Sequence, residues 1–257
     1  YSLPDQPNAI PYITSYYKKY WGFCLSYNQF KKLDKNKNYH ACIRSSYKKG
    51  FMHLGEVLIK GKSKKEILLS TNICHPSMGN NELSGLVTTM AIAQYLQSKK
   101  KLHYSYRILF LPETIGSISY ISKNIKKMKK NIIGGLNIVC TGDDGKFSFL
   151  SSKYEDSLFE EIALQTLKKN IKTIQKYSFL DRGSDERQYS SPGINLPICS
   201  IMRSKYGKYK EYHTSLDNLQ FISAKGLGGS FHILKLVLKK IENTKILVST
   251  KICEPFF

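Results

Sequence analysis

A chain of 257 residues with 41% hydrophobic and 12% aromatic side chains can fill a core, which excludes a wholly disordered protein and suits one large domain or two small ones. No apolar run approaches the roughly 20 residues of a membrane-spanning helix, and the start Tyr1-Ser2-Leu3-Pro4-Asp5 lacks the basic and apolar stretches of a signal peptide. Lys and Arg number 40 against 19 Asp and Glu, a net charge of +21. Only five of the forty are Arg and the Lys lie in scattered groups, so a solvated lysine-rich surface is the reading, not specific nucleic-acid binding.

Residues 1–60 are turn-rich and hold eight tyrosines and the only tryptophan, Trp21. From there the pattern alternates. Apolar runs predict strands at 66–73, 106–111, 132–140, 171–179 and 196–202; apolar residues at helical spacing predict helices at 82–97, 115–128, 156–168 and 225–241. The class is α/β: a three-layer, mostly parallel mixed sheet with helices on both faces. Gly226, Gly228 and Gly229 fall within the last helix and read as close packing against a neighbour. The six cysteines form no Cys-x-x-Cys pair. Four of them (Cys42, Cys74, Cys140, Cys199) sit in apolar runs and read as buried reduced thiols, which points to the cytoplasm.

Ligands of such sheets bind beyond the carboxyl ends of the strands, so the polar residues at those ends matter most. His75 follows the first strand and precedes the turn Gly79-Asn80-Asn81-Glu82-Leu83-Ser84-Gly85. Glu113 and Thr114 follow the second strand. Further on come Gly183-Ser184-Asp185-Glu186-Arg187-Gln188-Tyr189 and His213-Thr214-Ser215-Leu216-Asp217. Each cluster alone could be a capped loop. Together they supply two histidines and several carboxylates, the kit of a zinc hydrolase: metal ligands, an open position for water and a nearby acid. The sequence holds no Gly-x-Gly-x-x-Gly, P-loop or Gly-x-Ser-x-Gly motif.

In order and spacing these clusters resemble the co-catalytic zinc aminopeptidase family, relatives of the glutaminyl cyclases. More narrowly, His75-Pro76-Ser77-Met78, Pro112-Glu113-Thr114-Ile115-Gly116-Ser117 and Gly183-Ser184-Asp185-Glu186-Arg187 look like a bacterial branch of aminopeptidase-like domain proteins of unknown function, linked to surface-polysaccharide genes. The resemblance implies that His75 and His213 are metal ligands, Glu113 the general base, Asp185 a polar site residue and Asp217 a partner that fixes the ligand loop. The family's metal-bridging Asp is here Asn81, and the second Glu of its Glu-Glu pair is Thr114. Two ions would need those carboxylates, so the expectation is one zinc ion held by His75, His213 and a third ligand among Asn81, Glu82, Asp185 and Glu186. Members of the branch carry a longer N-terminal region. Residues 1–60 then read as a return segment within a single domain spanning 1–257, with a sheet edge that a partner or second copy could cover.

Two functions follow from these residues. One is a mononuclear zinc hydrolase cutting an amide bond in a small peptide, or an N-acyl group on an amino-sugar precursor of surface polysaccharide. The other is a degenerate, non-catalytic binding protein that has lost carboxylates at positions 81 and 114. In that case the stretch Tyr206-Gly207-Lys208-Tyr209-Lys210-Glu211-Tyr212 would face a ligand, unless its rings simply pack on the domain.

Overall fold

The computed structural model describes residues 1–14, 21–75 and 77–244. Seven strands form one sheet: β1 (Gly55–Ile59), β2 (Glu66–Asn72), β3 (Ser105–Leu111), β4 (Ile132–Asn137), β5 (Phe147–Leu150), β6 (Ile174–Tyr177) and β7 (Ile198–Met202). Their order across the sheet is β1-β3-β2-β4-β7-β5-β6. The centre β3-β2-β4-β7 is parallel, whereas β1 runs antiparallel to β3 and β5 antiparallel to β7. This is the mixed α/β sheet expected from the alternating pattern.

Strand β2 is buried along its whole length, which is why Ile67, Leu68 and Leu69 are apolar in succession instead of alternating. Its side chains still divide by parity. Ile67 and Leu69 join a core with Ile92 and Leu96 of α2 (Ser84–Gln97), Phe159 and Leu167 of α4 (Leu158–Asn170), and Ile233 and Val237 of α6 (Ala224–Asn243). Leu68 faces the other way, onto Tyr120, Ile121 and Met128 of α3 (Ile115–Asn131). Inside that second layer Arg107 is buried. Its Nε and Nη2 bind the two oxygens of Glu66 at 2.6 and 2.9 Å, and Nη1 reaches Glu56 and the Tyr120 hydroxyl. A buried guanidinium is tolerable only with its charge matched in this way. Helix α6 lies close enough to the loop after β4 that a Cβ on Gly226 would stand 2.0 Å from the Gly142 carbonyl oxygen; a Cβ on Gly228 would meet nothing within 4 Å. The packing expected for this glycine cluster is therefore that of Gly226, while Gly228 has open space.

The boundaries differ from expectation in instructive ways. The strand expected over 132–140 stops at Asn137, because residues 138–145 turn out across the sheet end and Cys140 takes φ 52°. The strand expected over 171–179 shortens to β6. The helix expected from residue 82 begins at Ser84, after a π-type turn over Gly79–Leu83. Edge strand β1 alternates between half-buried and exposed residues, and β5 has only four, so neither stood out by apolar pattern. Of the four cysteines expected inside, Cys140 and Cys199 are buried; Cys42 and Cys74 are exposed. Cys42 lies in a stretch without regular structure, and Cys74 lies beyond the last residue of β2, where the sheet no longer covers it. Among the described residues no helix is long and apolar enough to cross a membrane.

Candidate active site

The loops that leave β2, β3 and β4 meet the loop 206–218 at one rim of the sheet, the rim where parallel strands present their carboxyl ends. His75 stands three residues past β2 and is 7% exposed. The π-type turn over Gly79–Leu83 carries Glu82 back to it. Glu82 Oε2 accepts from the His75 backbone N–H at 2.5 Å and lies 2.7 Å from His75 Nδ1. With Nδ1 occupied, Nε2 faces outward and lies 3.7 Å from Glu113 Oε2.

Glu113 follows β3 by two residues, and its backbone N–H donates to Cys74 Sγ at 3.1 Å. Burial raises the Glu113 carboxyl above the ordinary carboxylate range, with the Ser184 hydroxyl and the charges of His75 and Arg187 pulling it back. Burial alone would hold the His75 imidazole below its usual value. Its contacts with Cys74 and Glu82 outweigh that and push it up to about 10. His213 behaves oppositely: burial and the charge of His75 bring it down to about 4. The two rings are 5.3 Å apart between centroids, Tyr212 stacks on His213 at 4.0 Å, and His213 Nε2 is buried without a hydrogen-bond partner.

Asp217 ties the His213 loop to the turn after β2. It accepts from the Asn80 N–H at 2.5 Å, the Asn81 N–H at 2.9 Å and the Tyr209 hydroxyl at 3.2 Å. Gly79 sits so close beneath this loop that a Cβ would meet the Asn218 carbonyl oxygen at 2.6 Å. Asn81 is buried beside these groups. Asp143, which comes late after β4, is held inside the fold by Asn80 Nδ2, the Gly145 N–H, and the N–H and hydroxyl of Ser204.

Asp185 is fully buried before the short helix α5 (Glu186–Tyr189). Its Oδ1 accepts from the Thr114 N–H and the Ser117 hydroxyl, each at 2.8 Å, whereas Oδ2 has no partner. Burial pushes this carboxyl up to about 7 despite those two donors. Glu186 has both oxygens engaged: Oε1 with the Gly183 and Ser184 N–H groups and the Tyr206 hydroxyl, Oε2 with Asn137 Nδ2.

His75, Glu113, His213 and Asp217 thus converge at one rim with Asn81 and Glu82, while Asp185 reaches the same rim through Thr114. Of the six non-glycine residues with positive φ among the described residues, four flank this place: Ser77, Thr114, Cys140 and His213. Such backbone strain gathers where a surrounding fold imposes a working geometry. The tyrosines of 206–212 pack inward; Tyr206 bonds Glu186, and Tyr209 stacks on Phe221 at 5.2 Å. Sequence reasoning missed three neighbours. Tyr12 donates its N–H to the His213 carbonyl at 2.8 Å and sets its ring 5.3 Å from His213 and 5.8 Å from His75. No local signal could have revealed a contact 201 residues away in sequence. Cys74 brings a thiol within 4.8 Å of the ligand atoms of His75 and Glu82, and its place beside His75 was the available hint. The third is Arg187, which donates to Thr114 Oγ1 at 2.8 Å.

Residues 4–244 match the family model described as Domain of unknown function (DUF4910). A Clostridium acetobutylicum protein named for polysaccharide biosynthesis with an aminopeptidase-like domain is 44% identical over 256 residues, covering 99% of this chain and 58% of the relative. A crystal structure of a Clostridium acetobutylicum protein described as a peptidase superposes with a TM-score of 0.91 at 43% identity, over 99% of this chain and 60% of that one. The chain therefore spans about three fifths of the length of these relatives. A zinc aminopeptidase from Bacillus subtilis shares the fold, with a TM-score of 0.62 at 16% identity over 75% of this chain and 50% of its own.

Proposed function

We propose, for a chain that belongs to the DUF4910 family and carries the zinc-aminopeptidase fold, that the cleft hydrolyses an amide bond with the help of a single zinc ion. The observation that carries this reading is the pair of imidazoles. His75 has Nδ1 engaged by the Glu82 carboxylate and Nε2 turned outward, the arrangement by which a carboxylate orients a metal-binding histidine. His213 presents a buried Nε2 with no hydrogen-bond partner among the described residues. The two imidazoles suit one ion held by His75 and His213, and we assign the third ligand to Asn81, buried on the turn that Asp217 ties to the His213 loop. These donors do not fit two, because positions 81 and 114 carry no charge and Asp143 is engaged elsewhere.

A zinc ion there would polarise a carbonyl oxygen and lower the pKa of water. The protein's own groups supply the proton chemistry. Glu113, its basicity raised by burial, takes the proton of the attacking water and returns it to the leaving nitrogen. Asp185, its carboxyl raised to about 7 by burial, supports the Thr114 backbone and through it the position of Glu113. Glu82 and Asp217 hold the two histidine-bearing segments in place. The substrate is a small peptide or related amide, handled in the cytoplasm by a single domain spanning residues 1–257. An N-acyl group on an amino sugar is the second substrate to screen, because the Clostridium relative is named for polysaccharide biosynthesis.

Glu113→Gln tests the mechanism. Loss of general-base catalysis is worth about 10²–10⁴-fold in rate, so turnover of aminoacyl or N-acetyl-sugar substrates should fall by that factor while bound zinc is retained. Unchanged turnover would remove Glu113 from the mechanism. A non-hydrolytic binding role is favoured by one observation, the neutral Asn81 and Thr114. It predicts zinc-loaded protein that turns over neither substrate class.

A further inference from the structure

We propose that Arg187 is a receptor for a carboxylate on the substrate, so that the amide cleaved in this cleft bears a free carboxylate near the scissile bond. The inference rests on reading the cleft as that of an amide hydrolase and adds the class of substrate. Arg187 is half-buried on α5, and Nη2 donates to Thr114 Oγ1 at 2.8 Å. Among the described residues its Nε is buried without a partner, and Nη1 makes no hydrogen bond and is not fully buried. Among the described residues no carboxylate pairs with this guanidinium, in contrast to Arg107, whose charge is matched by Glu66 and Glu56. The charge of Arg187 acts on Glu113 and on Tyr212, the ring stacked over His213, and Thr114, which holds the guanidinium, is the residue next to Glu113.

The residue that anchors Arg187 is itself unusual. Thr114 is β-branched yet adopts φ 65° and ψ −69°, and the Asp185 carboxyl holds its N–H there. A β-branched residue in such a conformation is kept only when the surroundings impose it. Here the result is a hydroxyl turned to the guanidinium. A Glu at position 114, as the aminopeptidase resemblance would have it, would neutralise Arg187; Thr114 steadies the cation and leaves its charge for a ligand. The end-on pair Nη1 and Nη2 retains N–H groups for a planar, bidentate partner. A carboxylate matches that fork and carries one negative charge against one positive charge. A phosphate dianion would bring a second negative charge beside Glu113, and it is included in the test as the competing ligand.

The test titrates the 257-residue protein calorimetrically with N-acetyl-L-alanine, with the neutral N-acetyl-L-alaninamide and with inorganic phosphate. The wild type should bind the carboxylate at least tenfold more tightly than the amide. Arg187→Gln should remove that preference, Arg187→Lys should keep part of it, and Thr114→Ser, which retains the hydroxyl, should keep most of it. Thermal melting of each variant separates loss of the receptor from loss of fold, and Arg187→Lys decides the matter if Arg187→Gln does not fold. Equal binding of carboxylate and amide by the wild type, an undiminished preference in Arg187→Gln, or tighter binding of phosphate would each overturn the assignment. If zinc-loaded protein cleaves no amide but retains the Arg187-dependent preference, the hydrolytic reading fails and the receptor stands. If it cleaves neutral and carboxylate-bearing amides alike, with or without Arg187, the receptor fails and the hydrolase stands.

Discussion

Replacing Asp217 by Ala should unfasten the His213 loop from the turn after β2, and the structure sets the scale of the effect. Asp217 is fully buried and is the shared acceptor for the Asn80 and Asn81 N–H groups and the Tyr209 hydroxyl. Without it two backbone donors lose their partner inside the protein, at about 1–3 kcal/mol each, and the longer phenol contact adds less. The sum is about 3–6 kcal/mol, a large share of the roughly 5–15 kcal/mol that holds a domain together. Asp217→Asn keeps one oxygen acceptor but sets an amide N–H against the other donor, so about half the loss is expected. Urea unfolding of the three proteins, with a common slope and shifted midpoints, reads the difference directly. Values within about 1 kcal/mol of wild type for both variants would refute the idea that this carboxylate fastens the loop. If the loop is instead freed as described, zinc affinity should also fall, by about 10–100-fold for loss of such a supporting group.

Asp185→Asn should change how stability depends on pH. The wild-type carboxyl is raised from 3.8 to about 7, so between those values the unfolded chain has released a proton that the folded protein keeps. Stability therefore falls as pH rises from about 4 to about 7, by about 4 kcal/mol in all, and the Asn variant should lack that slope; parallel pH profiles of unfolding would contradict this. Gly226→Ala forces a Cβ against the Gly142 carbonyl oxygen and should destabilise by about 3 kcal/mol, whereas Gly228→Ala should gain up to about 1 kcal/mol from helix propensity, both read by thermal unfolding. Equal effects would mean that the α6 contact is misplaced. Arg107→Met alone strands the buried Glu66 and should cost about 3–5 kcal/mol, while Arg107→Met with Glu66→Met should cost less than the single change. A double variant no better than the single would show that Glu66 does not depend on this pairing.

The parts of the fold that were legible in sequence are those where one residue pattern serves one environment. Strand β2 is buried on both faces, so Ile67, Leu68 and Leu69 had to be apolar in succession, and α6 shows one apolar face because only one face meets the sheet. Strand β1 escaped because Gly55, Glu56 and Leu58 lie at the sheet edge, where burial demands little of the side chains. At the site, the clusters around His75, Glu113 and His213 were singled out in the sequence together with the aminopeptidase resemblance, and the structure brings them to one rim. The roles of their neighbours were not legible. Glu82 reaches His75 only through the π-type turn, Glu186 turns inward to the Tyr206 hydroxyl, and Tyr12 arrives from the far end of the chain. Those relations depend on backbone geometry and long-range packing, which single-residue patterns do not encode.

The hydrolytic role of this site depends on His75 and His213 sharing one metal ion. Elemental analysis of the purified chain, beside a His75→Ala, His213→Ala double variant that retains its fold by circular dichroism, asks this directly. About one zinc per chain is expected in the wild type and none in the variant. A wild type that takes up no zinc at neutral pH, or a variant that keeps its full content, would contradict it.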